Sequence, residues 1–552
     1  MAFKFGTRAL RAARALLLIG TLAVAACGEA PEAAIRPAPA SETRPNILLV
    51  IADDLGPELG AYGDKAAVTP TIDKLAREGV LFTAAYAASG SDRPAQAALL
   101  TGVQPQTLGA VQDWSGEAGY ALAPAPEVKA FPELLRRAGY TTFRIGFAGD
   151  PFGAPASLWD QDVADPSGWL TSDVTGPFFG MVALPTAEPA DAPKPKKGPV
   201  ETVRGWFAKK EKPATPTVAS RIVVPPYLPD TPEVRAALKA RYDRVHQGDA
   251  RLGALLARLE KAGVLNNTVV IVTAENGPDL PRAERTVYDS GVRVPLIVRF
   301  PGGRGAGTVR RDPVGGVDLA PSILKLASVA PLAWMQGADR FAEAGAGPRY
   351  VVSLQGRVDG TGDRVRAVRD GRWLLIANEA PALSLASYAP KGPALEALEA
   401  ARKANRLTPA QARLFATPRP TFELYDLQAD PHQLTNLISD PARAGDVQRL
   451  AAALVGFNRS APDYSLLGER ELRDRFASGG AAPVTSPPSG AVRAGKLTLE
   501  TPTPGAAVLW RADPKSAWRL YTGPVAAPAE AKIEAKAVRY GFKESPAVKV
   551  GG

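Results

Sequence analysis

Two unbroken apolar runs dominate the hydrophobic pattern, NILLVI at 46–51 and TVVIVT at 268–273. Such runs fit strands buried on both faces of a mostly parallel sheet. Between them, strand and helix signals alternate at 80–86, 131–138, 141–147 and 178–184. A helix is predicted to begin at Thr69-Pro70, a capping residue followed by proline at the first helical position, and to end near Gly79. A long helix is expected over 232–262, capped by Asp230 or Thr231. Its apolar stripe includes Val234, Leu238, Tyr242, Leu252, Leu255, Leu256 and Leu259. A strand at 294–300 and a helix at 317–327 complete the series. Repeated strand–helix alternation predicts an α/β layered fold.

Farther along, the pattern changes twice. Residues 348–480 carry strand signals at 350–354 and 373–377 followed by helical ones, which reads as a smaller α+β lobe. From 484 to 552 short alternating runs are split by Pro and Gly, as in a small all-β module. A chain of 552 residues exceeds what one core of about 250–300 residues supports. We therefore expect an α/β domain at 44–347, the lobe, and the β module. Within the first, 187–220 breaks the alternation. It is rich in Pro and in lysines such as Lys194, Lys196, Lys209 and Lys210, with Trp206 and Phe207 in its middle. It reads as a solvated insertion, or as a basic-aromatic contact for an anionic envelope polymer or lipid.

The first 26 residues hold Lys4, Arg8, Arg11 and Arg14, no acid, and an apolar run from Ala15. That is the pattern of a secretory signal peptide, too short to span a bilayer. The single cysteine, Cys27, follows Val24-Ala25-Ala26 and resembles the lipidated cysteine of bacterial lipoproteins. Lipid on Cys27 makes the membrane a partner. Gly28 follows, with no Asp to suggest inner-membrane retention, so the outer membrane is the expected location. The Pro/Ala-rich 27–43 reads as a tether. Without the signal segment, 62 basic and 56 acidic residues remain, a net of +6. That bias is too weak to argue for nucleic acid.

Candidate chemistry sits at the strand ends. Asp53 and Asp54 close the first apolar run, and Glu275-Asn276-Gly277 close the second, some 220 residues away. In α/β sheets, ligands bind beyond the carboxyl ends of strands. Paired carboxylates there suit a hard divalent cation, Ca²⁺ or Mg²⁺.

At this point the chain resembles the sulfatase family of the alkaline phosphatase superfamily. The stretches that carry the resemblance are RPNILLVIADDLG, TPTIDKLAREGVLFTAAYA, AALLTG, VVIVTAENG, YDSGVRVPLIVRFPG and ELYDLQADPHQLTNL. The surroundings of RAVRDGRWLLIAN and RLTPAQARLFATPRP are most similar to the heparan N-sulfatase (sulfamidase) subgroup. The resemblance implies an alkaline-phosphatase-like mixed sheet between helices. It also implies hydrolysis of sulfate esters or sulfamates on glycans, with a cation, Ca²⁺ before Mg²⁺, bound at Asp53, Asp54, Glu275 and Asn276. The terminal module, with LTLETPTPGAAVLW and IEAKAVRYGFKES, resembles the β-sandwich that ends chitobiase-type hexosaminidases. There Trp510, Trp518 and Tyr521 are either a sugar platform or, the preferred expectation, core aromatics.

The departures from the family are as informative as the matches. The family's nucleophile is a formylglycine made from Cys or Ser in Cys-x-Pro-x-Arg, and here that segment is Asp92-Arg93-Pro94-Ala95-Gln96. Asp92 cannot become an aldehyde hydrate, so no formylglycine is expected, and Asp92 becomes a candidate cation ligand. Gln96 replaces the motif's arginine. Phe147 and Gly149 replace the lysine and histidine of the family's separate Gly-Lys-x-His segment, Glu188 stands at another histidine position, and Glu284 at a second lysine position with Arg285 adjacent, so only Arg93, Arg282 or Arg285 is left to reach a sulfate. The chain has only two histidines, and neither His246 nor His432 matches a catalytic position. Asp53, Asp54, Asp92, Glu188, Glu275 and Glu284 are candidates to converge, and carboxylates in contact titrate upward and together. Three readings stay open. The first is a family member that keeps fold and cation but acts by binding. The second is an active sulfuric or phosphoric ester hydrolase using Asp92 or metal-bound water. The third is an acidic cluster without a cation.

Overall fold

The structure, a computed structural model, describes residues 44–113, 122–147, 152, 159–163, 176–186, 217–342, 349–358, 361–467, 471, 474–475, 482–527 and 531–550. Cys27, the signal and tether segments, Gly149, Glu188 and most of the basic insertion lie outside them.

The central sheet has nine strands: β1 (Asn46–Ala52), β2 (Val80–Tyr86), β3 (Thr141–Ile145), β4 (Gln161–Val163), β5 (Phe178–Leu184), β6 (Thr268–Ala274), β7 (Arg293–Arg299), β8 (Thr308–Arg310) and β9 (Val314–Gly315). Their order is β9-β2-β7-β6-β1-β5-β3-β4, with β8 also on β2. All pairs are parallel except those of β7 with β6 and β2, so the sheet is mixed, as expected. Every residue of β1, β5 and β6 is buried, which is what their unbroken apolar composition requires. Helices α1 (Pro70–Glu78), α2 (Asp92–Thr101), α3 (Phe131–Arg137), α4 (Pro232–Lys261) and α5 (Leu319–Leu326) connect and cover it. The 131–138 signal thus resolves as a helix.

Start signals acted in two ways. Thr231 caps α4 as expected, its hydroxyl accepting from Val234 N at 3.3 Å. Thr69 does not cap α1. Its hydroxyl donates to Asp73 at 3.0 Å and accepts from Gly60 N at 3.0 Å. The first amides of α1, Thr71 N and Ile72 N, donate instead to the Asp249 carboxylate from α4, at 3.0 and 2.8 Å. The cap has passed to a residue 178 positions away, which also locks α1 to α4.

The lobe is an antiparallel sheet, β10 (Val351–Gln355), β11 (Val365–Arg369), β12 (Trp373–Asn378) and β13 (Phe422–Asp426), in that order. Its strands alternate between two cores. Val368, Leu375 and Leu424 pack under Leu450 and Leu454 of helix α6 (Ala444–Arg459). Ala367, Leu374 and Ile376 pack against Val234, Leu238 and Tyr242 of α4. The lobe and the α/β domain therefore share a core through α4.

The C-terminal segment forms two antiparallel sheets. One contains β14 (Ser489–Arg493), β15 (Lys496–Glu500) and β17 (Val525–Ala526). The other is built around β16 (Ala507–Arg511) and β18 (Glu534–Val538). Leu497 and Leu499 of the first meet Val508, Trp510 and Ala535 of the second in one apolar cluster. Trp510 is thus a core residue, and Tyr521 packs at the edge of the same cluster. Trp518 lies beneath Arg511 and Lys536, 4.5 and 4.8 Å from its ring centre.

Polar anchors hold this module to α3. Tyr540 Oη donates to Glu133 at 2.9 Å, Arg136 donates to the Trp518 carbonyl at 3.1 Å, and Lys129 donates to the Gly505 carbonyl. Burial pushes the Glu133 carboxyl upward, but Lys129 and Arg137 together with hydrogen bonds from Arg137 and Tyr540 hold it below the usual glutamate value. A carboxylate with a lowered folded pKa stabilises above its unfolded value, and that stabilisation fades as pH falls through the folded one. Glu133→Gln is therefore expected to cost about 3 kcal/mol at pH 7. The gap to wild type should narrow as the pH drops below the ordinary value of 4.5. Urea denaturation of both proteins at pH 7 and below 4.5 checks this.

Candidate metal centre

The register of the sheet builds the site. Ala52 of β1 pairs in parallel with Ala274 of β6 on one side and with Leu184 of β5 on the other. Neighbouring strands lie about 4.8 Å apart. Asp53-Asp54 and Glu275-Asn276 therefore leave the sheet side by side. Asp53 N donates to the Leu184 carbonyl at 3.1 Å, which fixes the turn, and Asp54 sits in the left-handed backbone region at φ 48°. That conformation is uncommon for any residue but glycine, and aspartate is among those that tolerate it.

Asp92 is the first residue of α2, where the helix dipole favours a negative charge. The loop before α2 is pressed onto the segment after β6. A side-chain carbon on Gly90 would lie 2.2 Å from the Thr286 carbonyl, and Arg285 N donates to the Gly90 carbonyl at 2.6 Å. Gly277 is equally constrained, with Ser290 O 2.1 Å from where its Cβ would be. Only glycine lets these backbones meet. The result brings oxygen atoms of Asp54, Asp92 and Glu275 within 4.8 Å of one another.

Three carboxylates so close repel, by about 4 kcal/mol per pair at 4 Å and an effective dielectric of 20. The protonation equilibria reflect it. Burial raises the Glu275 carboxyl well above its usual range, and the charges of Asp92, Asp53 and Asp54 raise it further, while a hydrogen bond from Gln96 opposes them. Burial, then Glu284 and Asp279, raise Asp54, against the Asn276 hydrogen bond and Arg241. Burial pushes Asp53 up to about 6.

A divalent cation fits this donor set. Ca²⁺ takes oxygens at about 2.3–2.6 Å, so two of its ligands lie up to about 5 Å apart, compatible with the observed 4.8 Å. Asn276 is fully buried, and its Nδ2 donates to Asp54 at 2.9 Å and to the Gly277 carbonyl at 3.1 Å. Its Oδ1 is also buried and has no hydrogen-bond partner among the described residues. A buried acceptor left in that state is costly unless something electropositive meets it.

The remaining expected residues occupy distinct places. Gln96 donates to Glu275 rather than gripping an anion. Glu284 receives Arg285 Nε at 3.1 Å and acts on Asp54 through its charge. Phe147 is half-buried beyond the end of β3. Asp53 is outside the group of three but near enough to raise Glu275. His246 packs at the rim, its Nδ1 2.8 Å from the Val68 carbonyl.

Sequence reasoning missed Arg241. Arg241, buried on α4, lies 3.5 Å from Glu58 and 3.7 Å from Asp279. Beside it a cleft of about 480 Å³ opens, lined also by Tyr227, Arg282 and His432. Arg282, buried and at φ 62°, stacks 4.0 Å over Tyr288 and donates to the Gln433 carbonyl at 2.7 Å. Arg241 interrupts an apolar helix stripe, and that irregularity was the one available signal.

The comparisons with known proteins follow this geometry. The sulfatase family model matches residues 45–329, the segment that holds both acidic strand ends. An ulvan-active sulfatase of Formosa agariphila is 30% identical over 546 residues, covering 92% of this chain and 91% of its own. The human N-sulphoglucosamine sulphohydrolase is 30% identical over 316 residues, covering 51% of this chain and 61% of its own. A crystal structure of a putative sulfatase from Bacteroides thetaiotaomicron superposes with a TM-score of 0.54 at 20% identity, over 77% of this chain and 94% of that one, which speaks to the fold alone. The matched segment spans the acidic centre, and a relative of near-equal length matches nearly end to end: this chain belongs to the sulfatase family.

Proposed function

We propose that this sulfatase-family protein keeps a divalent cation at Asp54, Asp92, Glu275 and Asn276 and binds sulfated glycans, with its inherited hydrolysis impaired. The observation that carries this is Asp92. It stands at the head of α2 with its carboxylate among those of Asp54 and Glu275, at the position the family gives to the formylglycine nucleophile. Sulfuryl transfer needs a nucleophile, a proton donor and a clamp for a growing negative charge. Here the nucleophile position is an acid that cannot form an aldehyde hydrate. The clamp position is Gln96, and Glu284 stands where a lysine is expected. The field that an incoming sulfate meets is repulsive.

Four carboxylate and amide side chains with flexible spacing favour Ca²⁺ over Mg²⁺, which demands a tight octahedron and keeps its water. The bound ion supplies positive charge that offsets the carboxylate repulsion. The chain's own residues then position it: Asn276 steers Asp54, and Gln96 steers Glu275. The glycan part of the reading is supported by relatives named for ulvan and N-sulphoglucosamine. Envelope anchoring through lipid on Cys27, in the outer membrane, is supported by the leader pattern.

A second reading is a working ester hydrolase, on sulfate or phosphate, that uses Asp92 or a metal-activated water. The raised Asp53, near 6, favours it as a proton donor close to neutral pH.

Metal binding has a definite sign with pH. Carboxyls raised in the folded state stabilise it below their unfolded pKa, and this stabilisation is lost as pH rises through the folded values, about 6 for Asp53. The metal-free protein is expected to lose thermal stability between pH 5 and 8. Excess Ca²⁺ should restore it by more at pH 8 than at pH 5, about 2.7 kcal/mol at 100 times Kd. Asp92→Asn should lower Ca²⁺ affinity at least tenfold, and an unchanged isotherm in calorimetry would remove Asp92 from the ligand set.

Turnover separates the two readings. Purified wild type with Ca²⁺ is expected to release no sulfate from 4-nitrophenyl sulfate or from a sulfated polysaccharide. Sulfate release that disappears in Asp92→Asn would establish the hydrolase instead. For the anchor, Cys27→Ser is expected to move the protein from the membrane to the soluble fraction of a fractionated envelope, and a membrane-bound variant would rule lipidation out.

A further inference from the structure

At the far end of α2 from Asp92 a second cleft opens, of about 1010 Å³, where the α/β domain, the lobe and the C-terminal module meet. Val103 and Leu108, just past the helix, form part of its wall. A helix rises about 1.5 Å per residue, so the ten residues of α2 hold this cleft about 15 Å or more from the acidic centre. Its size matches the upper end of small-ligand pockets, roughly 300–1,000 Å³.

Within a lining rich in Ala, Val and Pro, rings and arginines recur. Trp334, Phe457, Tyr464 and Phe542 contribute rings, and each keeps part of its surface exposed. Two guanidinium groups lie on these rings, Arg475 4.7 Å from the Tyr464 ring centre and Arg539 4.4 Å from that of Phe542. Among the described lining residues Glu127 is the one carboxylate, against Arg475 and Arg539, so their sum is positive, opposite in sign to the acidic centre. The walls are held in place. Arg539 donates to the Pro124 carbonyl at 3.4 Å, and its neighbour Tyr540 is bonded to Glu133. The Arg539 side is thereby fixed in place, which lowers the entropic cost of binding there.

Aromatic faces offer apolar area to the C–H faces of sugar rings. Arginine offers paired donors to sulfate or carboxylate oxygens. We infer that this cleft binds a linear anionic polysaccharide, independently of the acidic centre. Ring and cation recur at two places in it, as a polymer with repeated anionic groups requires. A polymer gripped there is held at raised effective concentration for the acidic centre whenever its length spans the gap.

The test is calorimetric binding of the full mature chain to dextran sulfate, to polygalacturonate and to neutral dextran. The two anionic arms separate sulfate from carboxylate recognition. At least one anionic polymer should bind, more weakly at higher salt, and neutral dextran should not. Trp334→Ala and Arg475→Ser should each weaken binding about tenfold or more. Arg475 is exposed, so its replacement leaves the fold intact even if the tryptophan variant does not fold. Lys74→Ala, an exposed change on α1 away from both the cleft and the acidic centre, should leave the affinity unchanged. The inference is overturned if Arg475→Ser binds like wild type, or if Lys74→Ala weakens binding as much as Arg475→Ser does. It is also overturned if neither anionic polymer binds, and self-association with concentration would then mark the cleft as a contact between copies.

Discussion

The carboxylates of Asp54, Asp92 and Glu275 are held nearer to one another than free charges tolerate. The fold forces this. Paired registers at the ends of β1 and β6 deliver two of them, and the head of α2 delivers the third, locked by the close approach of Gly90 to Thr286. Repulsion of this size is supported by β1 and β6 themselves, which are buried on both faces and locked in register by their paired neighbours. A centre preloaded with negative charge selects cations and disfavours free anions. The same constraint underlies the proposed cation site and the proposed loss of ester hydrolysis.

Charge is laid out on a larger scale around this centre. Arg241 and Arg282 line the neighbouring cleft, each engaged with acid or carbonyl groups. The second cleft, with Arg475 and Arg539 beside exposed rings, is separated from the centre by the length of α2. An anionic polymer thus meets attraction at the periphery and repulsion at the core unless a cation is present. The lobe and the terminal module give this layout a rigid frame, one through the core it shares with α4 and the other through the buried Glu133 anchor.

Much of this was legible in the chain. The apolar runs at 46–51 and 268–273 specified buried parallel strands, because a strand covered on both faces leaves no room for polar alternation. Acids placed directly after such strands had to emerge at a ligand-binding edge. The proposed replacements at Asp92, Gln96 and Glu284 rest on the chain alone, each read against a neighbouring motif.

Contacts between distant segments were not legible. Thr69 has the local chemistry of a helix cap, yet Asp249 performs that task from α4, because a buried carboxylate already oriented by packing satisfies two amides at once. The helix at 131–137 carries Glu133 and Arg136, and their bonds to Tyr540 and Trp518 of the terminal module had no local signal. Arg241 and Arg282 gained their roles only when α4 folded over the segment after β6. The sequence by itself determined which residues are buried and which acids stand at strand ends, since those follow from local periodicity and composition. The tertiary structure alone decided which carboxylates share one space, which cations face them, and where Trp334, Tyr464 and Phe542 open onto one cleft. Those depend on distances between segments hundreds of residues apart, and no local pattern encodes such distances.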